Sequence, residues 1–253
     1  MARRPICRPW APCGAAVLIL FTVFAAAPRN TLNADESGLN ASPIEKVEDD
    51  EGVATAAMAI QLAMMGQQQK SPLLMLAAAD LLGGLRASER ESKAVVVKEP
   101  ESDEEPSPMQ VNVQAWLRQA REYSQGDPAL EALVEETPRG LVYRQGHNLP
   151  DARIAGHHFK VLTTDYLNPG QSLRMENVIF EAKKPAVVAV IGDGNGDLDL
   201  WVYCGGSGGE IGKDVDATST CVVQWMPRWE GPFTILIRNV GRGREKFVVL
   251  ANW

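Results

Sequence analysis

The sequence predicts a segregated α+β protein, in which N-terminal α-helical hairpins precede a C-terminal antiparallel β-sandwich of about seven to eight strands. Two observations carry this prediction. Up to about residue 138, apolar side chains recur at intervals of three and four residues, which is the period of an amphipathic helix. From about residue 150 they alternate at every second residue in short runs, with turn-forming residues and no helical pattern between the runs.

Residues 1–27 have the features of a secretory signal peptide. Arg3, Arg4 and Arg8 precede an uncharged run, AAVLILFTVFAAA, that ends in small residues. This run is shorter than the roughly 20 residues that span a bilayer, so cleavage is favoured over a retained anchor. The sequence therefore predicts an exported protein, periplasmic or secreted, with no stable membrane span after the signal peptide is removed.

The charge of the chain narrows the class of partner. The formal net charge is −7, and loss of the three arginines in residues 1–27 brings it to −10. Nucleic acids and anionic membranes attract basic surfaces, so an acidic protein disfavours both. The expected partner is an unidentified envelope or extracellular protein, or a glycan.

The first helical hairpin is predicted in residues 51–90. It follows residues 28–50, which are polar and without hydrophobic period and are predicted to be a disordered leader. The apolar face of its first helix is formed by Val53, Ala57, Ile60 and Met64.

Two Ser/Asp-Pro pairs mark the starts of further helices. Ser71-Pro72 supplies an N-cap and an N1 proline for the second helix of the first hairpin, and Asp127-Pro128 repeats the pattern. Between the hairpins, residues 91–110 are rich in acids, proline and serine and are predicted to be a linker. A second hairpin is predicted in residues 111–138.

The C-terminal part contains seven candidate strands. They are separated by segments such as NPGQ, GGSGGEIG and GRGRE, which are rich in turn formers. The strands are predicted at residues 158–164, 173–180, 186–192, 198–204, 220–225, 233–239 and 246–252.

Residues 155–253 resemble the bacterial pre-peptidase C-terminal (PPC) type of domain and its stand-alone relatives. The resemblance rests on DGNGDLDLWVYC and on DATSTCVVQWMPRWEGPFTILIRNVGRGREKFVVLAN, and its most specific part is residues 192–239. It implies a jelly-roll type of β-sandwich over residues 150–253 and an accessory module without catalysis. The chain departs from the usual arrangement because no peptidase precedes the domain, and because Cys204 stands where the family often has Asp.

The two cysteines that remain after signal-peptide removal are predicted to form a disulfide. In LDLWVYC, Cys204 lies on the apolar face, whereas Asp199, Trp201 and Tyr203 lie on the other. Cys221 also lies on the apolar face of its strand. An even pair in an exported protein is normally oxidised, and a bond between neighbouring strands is expected.

The turn GDGNGD leaves two interpretations open, a structural turn or a calcium site. Asp and Asn favour turns because their side chains bond to their own backbone, but the D-x-N-x-D spacing also offers oxygen ligands to Ca²⁺. An EF-hand is excluded, since Leu198 and Cys204 replace its Gly and Glu. The candidate calcium ligands are Asp193, Asn195, Asp197, Asp199, Asp214 and Asp216.

Two tryptophans have different expected roles. Trp225 is expected in the core because it shares a face with Cys221, whereas Trp229 is a candidate for stacking on a ligand. No catalytic residue is predicted: the sequence lacks G-x-S-x-G, H-E-x-x-H, P-loop and dinucleotide motifs. The histidines, His147, His157 and His158, are expected at the surface or at strand edges.

The predicted function is that of a non-enzymatic exported protein with an accessory or binding β-sandwich in the bacterial envelope or outside the cell. It requires no cofactor, with calcium as the alternative. The alternative function is a calcium-dependent carbohydrate- or matrix-binding module. A hydrolase with an unrecognised site is a third, less favoured interpretation.

Overall fold

The computed structural model describes residues 38–42, 50–88, 92–100, 109–146 and 158–252, with the backbone alone for 138–146. The predicted signal peptide and two of the three histidines, His147 and His157, lie outside the described residues. Within them, no helix has the length and apolar character needed to cross a membrane.

In the part of the chain that the structure describes, four helices form the N-terminal half: α1 (Glu51–Gln69), α2 (Pro72–Gly83), α3 (Val113–Ser124) and α4 (Pro128–Gly146). Each starts at a side chain that accepts hydrogen bonds from the first turn, and these caps are Asp50, Ser71, Asn112 and Asp127. The predicted apolar face of α1 is confirmed, because all four of its residues are buried. Helix α4 continues beyond the predicted end at residue 138.

Within the described ranges, ten strands follow or interrupt the helices. Their bounds are β1 (Arg86–Ala87), β2 (Val95–Glu99), β3 (His158–Leu167), β4 (Ser172–Phe180), β5 (Ala186–Gly192), β6 (Leu198–Cys204), β7 (Glu210–Asp214), β8 (Thr220–Trp225), β9 (Gly231–Asn239) and β10 (Glu245–Ala251). All seven predicted strands are present, within three residues at either end.

The strands form two five-stranded sheets, ordered β1-β3-β10-β5-β8 and β2-β4-β9-β6-β7. The eight strands from β3 onwards have the order of a jelly roll: successive strands lie in different sheets, except for the hairpin of β6 and β7 within the second sheet. All pairings among these eight strands are antiparallel. The segregated α+β class and the jelly-roll sandwich are therefore confirmed. The first sheet is called the covered sheet below, and the second is called the open sheet.

The described residues form three layers, because the helices pack against the outer face of the covered sheet. Strand β5 is buried on both faces: Val188 and Val190 point into the sandwich core, and Val187 and Ala189 contact the helical layer. Ala56 and Ala59 of α1 are fully buried in the same cluster. The outer face of the open sheet carries no helix among the described residues.

The predicted linker, residues 91–110, is corrected in part. Val95–Glu99 form β2, which pairs with β4 at the edge of the open sheet. Three consecutive valines favour a strand, and an available sheet edge outweighs the polar composition around them. The end of the predicted first hairpin likewise pairs as β1 with β3. The helical regions are therefore joined to the sandwich by strands.

The predicted disordered leader is also corrected in part, since residues 38–42 lie against the sandwich. Ala41 is fully buried, and Ser42 forms a β-bridge with Met226. A segment of five residues is too short to show a hydrophobic period. Its order comes from contacts with distant residues, which the local sequence does not reveal.

Candidate ligand-binding surface

The outer face of the open sheet presents a row of side chains that crosses all five strands. Strand register aligns Val97, Arg174, Leu236, Trp201 and Lys213 side by side. Side chains at every second position share a face, so this row points away from the sandwich core. An indole and a leucine therefore lie at its centre, with a cation on either side.

Tyr203 extends the aromatic surface of Trp201 along β6. The two side chains are two residues apart on one face, which corresponds to roughly 6.7 Å along the strand. Both are partly exposed. Tyr203 lies opposite Thr234 of β9, a small side chain that leaves its ring accessible.

The cations of this surface have carboxylates beside them. Lys213 pairs with Glu210 at 3.2 Å, and Arg174 lies 4.0 Å from Glu176. Burial raises the pKa of the Tyr203 phenol and Glu210 adds to this, whereas Arg174 and Lys213 lower it. The surface around the two aromatic rings is thus polar and nearly balanced in charge.

Asp199 completes the surface on the other side of Trp201. It lies opposite Arg238 of β9. Burial raises the pKa of the Asp199 carboxyl, Asp197 adds to the increase, and Arg238 opposes it. The alternation of LDLWVYC indicates these outward residues from sequence, but their neighbours on β4, β7 and β9 depend on the fold.

Trp229 lies at the rim of the sandwich, in the turn between β8 and β9. Its side chain is 49% exposed. Asn40 fixes the backbone of this turn. Its side-chain amide oxygen accepts hydrogen bonds from the backbone N–H groups of Arg228 and Trp229. Its side-chain amide nitrogen donates a hydrogen bond to the Trp229 carbonyl. The predicted stacking candidate is therefore exposed and held in place.

Trp225 has the predicted core role. It is buried with Phe180 and Phe233, at ring-centroid distances of 4.8 and 5.0 Å. It belongs to the packed core of the sandwich and contributes no ligand surface.

The acidic turn after β5 is organised by Glu245, a residue that the sequence analysis did not identify. Glu245 is fully buried, and its carboxylate accepts from the backbone N–H groups of Gly194 (2.7 Å) and Gly196. Asp193 accepts from the N–H of Lys246 at 3.3 Å. The turn thus directs N–H groups at an internal anion, the opposite of the oxygen-lined loop that a cation needs.

Two further calcium candidates, Asp214 and Asp216, accept hydrogen bonds from backbone groups. Asp214 accepts from Val222 N–H at 2.8 Å, and Asp216 accepts from the N–H and hydroxyl of Thr218 at 3.0 and 2.5 Å. Burial raises the pKa of Asp214; the Val222 hydrogen bond opposes this and Asp216 adds to it.

The described residues contain no cluster of three His, Cys, Asp or Glu side chains that could hold a metal ion. The structure therefore does not bring the six predicted calcium ligands together. Asn195 is exposed, and Asp197 Oδ1 is buried without a hydrogen-bond partner. Three of the six, Asp193, Asp214 and Asp216, accept hydrogen bonds from backbone N–H groups.

The predicted Cys204–Cys221 disulfide is absent, and both thiols are free and buried. Cys221 Sγ donates to the carbonyl oxygen of Leu198, at the start of β6, at 2.9 Å. Cys204 ends the same strand six residues later, roughly 20 Å away. A disulfide needs Cα atoms within about 7 Å, so the fold separates the two thiols too far for a bond.

The two thiols have different surroundings. Burial raises the pKa of Cys221, and Asp214 and Asp216 add to the increase. Burial also acts to raise the pKa of Cys204, but hydrogen bonds from Ser207 and from nearby backbone N–H groups outweigh it, and the pKa is lowered. His158, the described histidine, is exposed at the start of β3, as predicted.

A second surface lies in the helical layer, where α2 and α4 form an open groove of about 460 Å³. Its lining is mainly apolar and includes the exposed Leu73 and Leu133 and the buried Leu76, with the acids Asp80 and Glu136 beside them. It offers fewer polar groups for a small ligand than the open sheet does.

Comparison with known proteins identifies no family. No protein-family model and no curated protein matches the chain, so the PPC resemblance stays a prediction. Among solved structures, the C-terminal CBM6 of LamC, a laminarinase from the marine organism Zobellia galactanivorans, is 9% identical with a TM-score of 0.24, over 37% of this chain and 93% of that one. A carbohydrate-binding module, CBM6cm-2 of Cellvibrio mixtus lichenase 5A in complex with cellotriose, is 11% identical with a TM-score of 0.24, over 37% and 88%. We draw no functional argument from likenesses at this level.

Proposed function

We propose that this protein is a non-catalytic binding module, exported from the cell, whose open sheet binds an uncharged carbohydrate. The observation that carries the proposal is the pairing of Trp201 and Tyr203 on the one sheet face that the helices leave uncovered. Sugars present flat apolar C–H faces and a periphery of hydroxyl groups. Aromatic rings bury the former, and charged or amide side chains bond to the latter.

The charge balance of the surface selects the kind of carbohydrate. Lys213 and Arg174 have Glu210 and Glu176 beside them, so the face has no strong field of either sign. An anionic polymer would need the carboxylates to be displaced, whereas an uncharged glycan can bond to donors and acceptors together. Arginine and carboxylate groups at the rim of the aromatic pair suit hydroxyl recognition.

The test is titration calorimetry with soluble neutral polysaccharides, in parallel with an anionic one. We expect saturable binding of a neutral glycan, reduced at least tenfold in Tyr203→Ala and in Trp201→Ala, because each removes a stacking surface. Melting temperature is recorded for each variant, since Trp201 is partly buried. Leu73→Ala, on the helical layer, is the matched control and should bind as the parent protein does.

Two outcomes would overturn the proposal: no binding to any neutral glycan, or binding that both aromatic substitutions leave unchanged. Trp229→Ala separates the rim from the sheet face. If only this variant loses binding, the ligand lies at the rim, and the assignment to the open sheet is wrong.

Calcium dependence is the competing form of this function. The Glu245 carboxylate already accepts hydrogen bonds from the backbone of the acidic turn. We therefore expect glycan affinity to be the same with added calcium and with EDTA. Loss of affinity in EDTA, restored by calcium, would favour the calcium-dependent alternative.

A further inference from the structure

Strand β2 leaves an apolar sheet edge uncovered. Among the described residues it is the last strand of the open sheet and pairs on one side only, with β4. Its three valines are exposed to 51%, 46% and 39% at Val95, Val96 and Val97. Proteins usually protect such an edge with charges or prolines, because its free N–H and C=O groups accept another strand.

The lysine within β2 is already engaged. Lys98 points inward, where its ammonium group lies 3.0 Å from Asp165 and 3.7 Å from the centroid of the Tyr166 ring. Its charge is therefore not available to hinder the pairing of another strand with the valine edge. The exposed β-branched side chains on both faces of β2 indicate a strand shaped to pair on its second side.

The sequence of β2 is complementary to itself in one antiparallel register. If Val96 lies opposite Val96 of another copy, Val95 lies opposite Val97, and Lys93 lies opposite Glu99. Directly opposite residues point to the same face, so the outer face gains a Lys–Glu pair at each end of a valine cluster. Lys93 and Glu99 are both exposed.

We propose that two copies of this chain associate through β2 in this antiparallel register, which joins their open sheets into one ten-stranded sheet. The inference goes beyond the proposed function and does not depend on it. The charges select a second copy in antiparallel orientation, because in-register parallel pairing would place Lys93 beside Lys93 and Glu99 beside Glu99. A continuous sheet would satisfy the free backbone groups of both edges.

Charge reversal tests the partner and the orientation. Sedimentation velocity over a dilution series should show a monomer–dimer equilibrium for the purified protein. We expect Lys93→Glu and Glu99→Lys each to raise the dimer dissociation constant about tenfold, because each creates two like-charge contacts across the two-fold axis. The double variant Lys93→Glu/Glu99→Lys should return to the parent value.

A cysteine at the axis tests the register. Residues directly opposite each other in antiparallel strands have Cα atoms about 5 Å apart, which is within reach of a disulfide. In the proposed register the two copies of Val95 are diagonal neighbours, and their Cα atoms would lie about 8 Å apart. Under mild oxidation, Val96→Cys should give a covalent dimer on a non-reducing gel. Val95→Cys should not, and neither should the parent protein.

Val240→Lys is the matched control, since Val240 is an exposed valine (46%) outside β2. It should leave the dimer unchanged, whereas Val96→Lys should abolish it. A protein that stays monomeric at all concentrations overturns the proposal, as does a dimer that Val96→Lys does not weaken. Crosslinking at residue 95 in place of 96 would show that the register is wrong.

Discussion

Glu245 shows how one buried carboxylate can shape a turn. It begins β10, yet its oxygens accept N–H groups from Gly194 and Gly196, about fifty residues earlier in the chain. Gly192 leaves the space for it, because a Cβ there would collide with the Glu245 carboxylate and with Ser219. Burial raises the pKa of Glu245, the hydrogen bond from Gly194 opposes this, and Asp193 adds to the increase.

The Glu245 carboxyl gives the first residue-scale prediction, a pH-dependent stability. Its ordinary pKa is 4.5 and the folded value is higher, so the folded state holds the proton more tightly. Its contribution to the free energy of unfolding is therefore full below pH 4.5 and is lost as pH rises through the folded pKa. Relative to Glu245→Gln, which does not titrate, we expect the parent protein to lose about 1.4 kcal/mol for each unit of pKa increase.

Urea unfolding of both proteins across this pH range measures the difference. Glu230→Gln, at an exposed position in the turn before β9, is the control and should give a flat difference. A parent-minus-variant difference for Glu245→Gln that rises with pH would contradict the assignment.

The cysteines give the second residue-scale prediction, on their oxidation state. Since the structure holds Cys204 and Cys221 at opposite ends of β6, both should titrate as free thiols when the protein is denatured without reductant. Cys221→Ser should then lower the count by one. In a disulfide-bonded protein, the same substitution would release Cys204 and raise the count by one.

The residue scale also shows where sequence reasoning stops. Alternation placed Cys204 and Cys221 correctly on inward faces, because a strand's period fixes the face. Alternation does not determine which sheet a strand joins, or which residues of the facing sheet lie next to a given residue in the core. The role of Glu245 was likewise hidden, since its partners are backbone groups brought close by β5–β10 pairing.

At the scale of elements, the strands that follow alternation or carry long apolar runs were predictable, and three strands were not. Strand β2 is surrounded by acids and prolines, and β7 lies in a glycine-rich segment between the two cysteines. Strand β1 has only two residues. Each is a short edge strand. The partners of β1 and β2 are distant in sequence, whereas β7 pairs with the preceding strand, β6, across a glycine-rich turn.

Helix α1 carries the element-scale prediction. Ile60 is fully buried between the helical layer and the covered sheet, so Ile60→Ala should lower the free energy of unfolding by about 2–5 kcal/mol. Leu73→Ala, at a position that is 51% exposed in α2, should change it by about 0.5 kcal/mol or less. Chemical denaturation of both variants measures this contrast, and equal losses would mean that α1 is not docked as described.

At the scale of the whole molecule, helices and sandwich share one continuous apolar layer. Phe159, Val187, Ile191 and Leu250 of the covered sheet belong to the same buried cluster as the helices. The sequence predicted two helical hairpins joined by a linker, because composition changes sharply at residue 91, and it left open whether they pack on the sandwich. The helical region and the sandwich differ in composition but pack together. The outward residues of the covered sheet are apolar because the helical layer covers them.

The single uncovered sheet face has a consequence for assembly. If two β2 strands pair as proposed, both copies of Trp201 lie on the same side of the joined sheet. Their β6 strands are the first and last of eight neighbouring strands, so the two tryptophans are roughly 34 Å apart. A long glycan could then engage both copies at once. Its second contact would form at the high effective concentration of a tethered ligand, so a polymer would be held more tightly than a short oligosaccharide of the same chemistry.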